Sequence, residues 1–107
     1  MKVIFVSGKY RSDTERGLIQ NIRHAEQEAL WLWLQGWAVV CPHKNTAHFG
    51  GVLDDPEADH QLWMAGDLEI LSRVDAIYML LGFEKSEGAK LELELAIKLK
   101  KEVIYEV

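Results

Sequence analysis

Short apolar runs alternate with longer stretches of helical periodicity along this chain. Residues 2–6, Lys-Val-Ile-Phe-Val, are β-branched and aromatic and are stopped by Ser7-Gly8, which predicts a first strand. Leu18, Ile19, Ile22, Ala25, Ala29, Leu30, Trp33 and Leu34 then recur at helical spacing. Ser12-Asp13-Thr14-Glu15 has the form of a capping box ahead of that helix, and Gly36 suits its C-terminal end. Residues 37–41 predict a second strand, closed by Pro42. Residues 43–55 follow no period and read as a long irregular loop, a kind of segment that is often functional in a compact domain. Pro56 fits the first turn of another helix, running to about Arg73 with Leu62, Trp63, Ala65, Leu68, Ile70 and Leu71 apolar. Residues 75–81 are apolar nearly throughout, as expected of a strand covered on both faces.

Residues 90–95 alternate apolar and polar, which by period alone suggests a strand. Composition decides for a helix: Leu, Glu, Lys and Ala are strong helix formers, and Leu91, Leu95 and Leu99 stack at helical spacing. Residues 102–107 predict the last strand. The order β-α-β-loop-α-β-α-β implies parallel strands with right-handed crossovers and helices on both faces. The expected fold is therefore a single three-layer α/β domain over residues 1–107, flavodoxin- or Rossmann-like, with a parallel sheet of four or at most five strands. Trp31 and Leu32 fall outside the main stripe of the first helix, and Trp63 adds a further large aromatic. A second apolar face of this kind usually meets a partner, so a homodimer or higher assembly is expected.

Composition narrows the classes. The chain has 107 residues, 49% of them hydrophobic and 27% charged, which is ordinary for a globular domain. No apolar run approaches the roughly 18 residues that span a bilayer, and the amino-terminal run is too short for a signal peptide. A single Cys41 excludes an internal disulfide and fits a reducing, cytoplasmic setting. With a net charge of −5, a general nucleic-acid or anionic-membrane surface is not expected. A small phosphorylated ligand needs only a local cationic pocket.

The chemistry concentrates after the third predicted strand. Glu92 lies just inside a helix that begins near Gly88, where the dipole and free amides favour a carboxylate anion, and it is the candidate nucleophile. Glu94 projects about 200° further round and reads as exposed. Ser86, Gly88 and Ala89 form a helix start able to hold an anion. Asp67 sits among apolar neighbours in the preceding helix. Ser7, Gly8, Lys9, Tyr10 and Arg11 follow the first strand at the same sheet edge, offering close ligand approach, cations and a tyrosine. Neither G-x-G-x-x-G nor G-x-x-x-x-G-K-S/T occurs, so dinucleotide and P-loop readings fail. His43, His48 and His60 match no zinc spacing, so neither a metal nor a cofactor is expected. His48 and Phe49, ahead of Gly50-Gly51, read as a lid that stacks on a base.

The pattern Ser86-x-Gly88-Ala89-x-x-Glu92-x-x-x-Ala96 resembles the signature of the nucleoside 2-deoxyribosyltransferase-like superfamily. The block from Leu80 to Glu92 resembles that of its short phage and bacterial members, and the likeness extends over most of the chain. The resemblance implies that Glu92 attacks the anomeric carbon, that Asp67 assists the departing base, and that Tyr10 and Arg11 line the sugar and phosphate end. Transferases of free nucleosides carry an aspartate six positions before the glutamate. Ser86 stands there instead, as in relatives that hydrolyse 2′-deoxynucleoside 5′-monophosphates. Lys9, Arg11 and Lys90 would supply charge for the phosphate. Glu94 departs from a family glycine, and the sequence stops at Val107, short of the C-terminal segment those relatives use. The expected activity is N-glycosidase or deoxyribosyltransferase-like, on a nucleoside or its 5′-monophosphate. The alternative is a nucleotide-binding module of the same fold without turnover.

Overall fold

A computed structural model describes residues 1–47 and 49–107. The elements run β1 (Val3–Ser7), α1 (Glu15–Leu34), β2 (Ala38–Val40), α2 (Pro42–Asn45), α3 (Pro56–Ser72), β3 (Ala76–Met79), α4 (Glu87–Lys98) and β4 (Glu102–Tyr105), with a 3₁₀ turn at Phe83–Lys85 before α4. The four strands form one sheet in the order β2-β1-β3-β4, and every neighbouring pair is parallel. Helices cover both faces, as expected for the α/β class.

Strand alternation divides the core. Ile4 and Val6 point to one face with Ala76 and Tyr78, where Ala25, Ala29 and Leu32 of α1 cover them. Phe5, Ile77 and Met79 point to the other face, against Leu71 of α3 and Ala89 and Ala96 of α4. The chain leaves β1 toward β2 on one side and returns to β3 on the other. That reversal puts α1 on one face and α3 and α4 on the other, as right-handed crossovers require.

Several local expectations change. The cap of α1 is Thr14, whose hydroxyl accepts from the Gly17 amide at 3.0 Å, and Ser12 caps only Thr14's own amide. Gly36 does close the helix, in a left-handed conformation (φ 98°) that favours glycine. The irregular loop begins with a short helix, because Pro42 is pre-set for a first helical position. In α1 the buried side chains are Ile22, Ala25, Ala29 and Leu32, so Leu32 is core, while Leu30, Trp33 and Leu34 are exposed. The helix is apolar on more than one side, and period alone does not say which side meets the sheet. In α4 the same holds: Ala89, Glu92 and Ala96 face inward while Leu91 and Leu99 lie at the rim. Small alanines let the helix approach the sheet closely. No helix among the described residues is long and apolar enough to cross a membrane.

Candidate active site

The carboxyl ends of β1 and β3 flank the point where strand order reverses, which is where open α/β sheets bind ligands. A cavity of about 600 Å³ opens there, walled by the end of β1, the loop after it, α2, α3 and the start of α4. At Gly8 the chain passes so close to Leu80 that an added Cβ would lie 2.6 Å from its Cδ1. Any side chain there would push the loop off β3. The next residues are anchored from behind. The Asn21 side-chain amide donates to the carbonyls of Tyr10 (3.1 Å) and Arg11 (3.3 Å). His43 Nε2 lies 3.0 Å from the Lys9 carbonyl, and since a carbonyl only accepts, Nε2 carries the proton. Burial holds the His43 pKa below its usual range, so this imidazole is a neutral strut.

The start of α4 places the central group. Ser86 is its N-cap, accepting from the Ala89 amide at 3.1 Å. Glu92 follows in the second turn, on the face turned to the sheet, and only 7% of it is exposed. Ser7 Oγ donates to Glu92 Oε1 at 2.6 Å. Oε2 accepts no hydrogen bond among the described residues. The buried side-chain polar atoms without a partner there are His43 Nδ1 and Trp63 Nε1, so Oε2 is solvent-accessible. Glu92 lines the cavity, and Oε2 is the oxygen it offers to a ligand.

Asp67 lines the same cavity from α3. Burial raises its pKa to about 6. Burial raises Glu92 further, to about 8, with the charge of Asp67 adding to the rise and the Ser7 hydrogen bond opposing it. Asp67 titrates while Glu92 is still neutral and feels no charge from it; Glu92 titrates opposite an ionised Asp67. Between about pH 6 and 8 the pair therefore shares one proton, resting mainly on Glu92. The expectation of an ionised Glu92 thus reverses. Desolvation outweighs a helix dipole whose effect fades beyond the first turn.

Of the other residues singled out from sequence, Gly8, Tyr10, Arg11, Gly88 and Ala89 line the cavity. Ser7, Lys9 and Ser86 lie behind the wall or beside it. Lys90 is paired with Glu87 at 2.9 Å, which leaves Arg11 as the cation of the Lys9, Arg11 and Lys90 group that the cavity meets. Glu94 is exposed, as its helical position requires. Phe49 packs against Trp63 with its ring tilted and the ring centroids 5.9 Å apart, and Trp63 lines the cavity. His48 lies outside the described residues. No cluster of three or more potential metal ligands occurs among the described residues.

Two wall residues escaped the sequence reading in these roles, His43 and Asp59. Asp59 accepts from the Gly51 amide at 2.9 Å and the Leu53 amide at 3.1 Å, drawing the loop onto α3. A carboxylate in the first turn of a Pro-initiated helix after a glycine pair was the available signal. His43 had none, because its role depends on a carbonyl far away in sequence.

Residues 4–105 match the family described as Domain of unknown function (DUF4406). The chain belongs to that family. It also has a deoxyribosyltransferase-like fold. A 2-deoxyribosyltransferase from the psychrotolerant bacterium Bacillus psychrosaccharolyticus superposes with a TM-score of 0.64. The likeness covers 96% of this chain and 70% of that one at 20% identity. Identity that low speaks to the fold. No curated protein matches the sequence significantly. The candidate site occupies the switch point of that fold.

Proposed function

We propose that this DUF4406 protein cleaves the N-glycosidic bond of a deoxynucleoside or its 5′-monophosphate, with Glu92 as nucleophile and Asp67 as acid. The observation that carries this reading is one cavity lined by two carboxyl groups whose ionisation burial opposes, buried Glu92 and half-buried Asp67, the former presenting a free oxygen. Glu92 Oε2 attacks C1′ while the bond to the base breaks, its electron pair going to the base nitrogen. Asp67 donates the proton that nitrogen needs. Water then adds at C1′, the Glu92 carboxylate leaves, and the water's proton restores Asp67. A second base in place of water would make the reaction a transfer. Arg11 and the amides at the start of α4 suit a sugar or phosphate oxygen. Incubation with a panel of deoxynucleosides and their 5′-monophosphates, followed by chromatography for free base, tests it. Release that disappears in Glu92→Gln is the expected result, and no release from any member counts against it.

One observation favours the second reading, a nucleotide-binding module without turnover. The resting proton sits on Glu92, and a neutral carboxyl is a hydrogen-bond donor rather than a nucleophile. Calorimetric binding of a panel member with no base released selects that reading. Two further features belong to the same proposal. The free thiol of Cys41 fits a cytoplasmic setting. Leu30, Trp31, Trp33 and Leu34 on α1 are exposed and suit pairing with a second copy.

A further inference from the structure

Among the described residues, four polar or charged ones are buried: Ser7, His43, Asp59 and Glu92. Three have been accounted for by what they hold or offer. Ser7, 1% exposed, is the last residue of β1, and by strand alternation it points to the same face as Phe5, the face covered by α3 and α4. The rest of that face is apolar, so a hydroxyl there needs a partner. Its partner is Glu92 Oε1 at 2.6 Å, a distance typical of a hydroxyl donating to a carboxylate. Ser7 does not line the cavity, and Glu92 does.

We propose that Ser7 is the positioning residue of this site, gripping Oε1 of Glu92 so that Oε2 is the oxygen turned to the ligand. The inference rests on Glu92 as nucleophile for its catalytic consequence, but its geometric part stands apart from that reading. The grip acts in two ways. It removes the freedom of the carboxylate to swing about its terminal torsion, fixing which oxygen meets C1′. It also supplies, among the described residues, the side-chain donor to a largely buried carboxylate, favouring the ionised form that attack requires. The other titratable groups around the cavity are Asp67, Asp59 and His60 on α3, His43 on α2, and Tyr10 and Arg11 after β1. Among the described residues none of them is hydrogen-bonded to Glu92, and Asp67 opposes its ionisation.

Carbon-13 NMR titration of the glutamate side-chain carboxyls follows Glu92 directly, its signal assigned by its loss in Glu92→Gln. Ser7→Ala is expected to raise the Glu92 midpoint by about one to two pH units, the range set by a hydrogen bond to a charged group. Ser7→Thr, which keeps the hydroxyl, is expected to return the midpoint toward that of the native protein. An unmoved midpoint in Ser7→Ala overturns the proposal. With a substrate that releases base, Ser7→Ala should lower kcat about tenfold or more, leave KM within about twofold, and move the alkaline limb of the pH profile upward. A kcat that does not fall also overturns it. A midpoint that moves in a protein that releases no base leaves the Ser7–Glu92 grip standing and removes the nucleophile reading instead.

Discussion

Ionising Glu92 inside the fold costs free energy that the unfolded chain does not incur, and this gives the residue a signature in stability as well as activity. Its folded pKa of about 8 lies above the ordinary glutamate value of 4.5, so its contribution to stability is fully present below pH 4.5. It is lost progressively as pH rises toward 8, because the unfolded chain has released the proton while the folded one still holds it. Glu92→Gln keeps an acceptor for Ser7 and removes the ionisation. It should therefore melt above the native protein by a margin that grows from pH 5 to pH 8, on the order of a few kcal/mol by thermal unfolding. The same variant should release no base. A margin that does not change with pH would mean Glu92 is not desolvated. The pair also dictates the activity profile. One shared proton means kcat/KM should form a bell with limbs near pH 6 and 8, whichever carboxyl holds the proton at rest. Asp67→Asn removes the acid, so the maximum should fall by about 10²-fold or more. The bell should then become a curve that only rises with pH, since ionised Glu92 is all that remains to titrate.

The elements that place these residues were legible in the sequence to different depths. Strand and helix order, the Pro56 helix start and the helix over residues 90–95 follow from period, composition and turn residues, because those signals are local. The inward face of α1 was not legible, since apolar residues lie on several of its sides and only the sheet selects Leu32 over Leu30. For the same reason the sequence placed Glu92 beside the site yet gave no sign of its burial, which depends on alanines letting α4 settle close to β1. The latch on the loop was equally non-local. Asp59 joins the first turn of α3 to the amides of Gly51 and Leu53, and Phe49 rests on Trp63. Asp59→Ala frees both amides, so hydrogen exchange at Gly51 and Leu53 should speed up by at least about tenfold while the β1 amides stay protected. KM for any substrate should rise more than kcat falls, because the wall that encloses the ligand loosens while Glu92 keeps its place. Unchanged exchange at those amides would show that the loop is held by other contacts.

At the scale of the whole molecule, the sheet leaves one helix with two apolar sides. Leu32 packs on the strands, while Leu30 and Leu34 lie roughly 160° around α1 from it, flanked by Trp31 and Trp33. These four are about half to three-quarters exposed, from 49% for Trp31 to 76% for Leu34. They cluster in the last two turns of α1, a contiguous patch rather than scattered residues, which is the pattern of an interaction surface. The simplest partner is a second copy, because a two-fold axis would set the same stripe against itself and bury it on both sides at once. The native protein should therefore sediment as a dimer at micromolar concentration. Leu30→Glu should convert it to a folded monomer, since an unpaired charge buried in an apolar contact costs several kcal/mol, whereas on an exposed helix it costs little. Trp31→Glu should act in the same direction, with some added loss of stability from the Trp31 ring contact on Tyr78. A native protein that sediments as a monomer throughout that range would leave the stripe without a self-partner. Base release by the Leu30→Glu monomer at the native rate would separate pairing from catalysis.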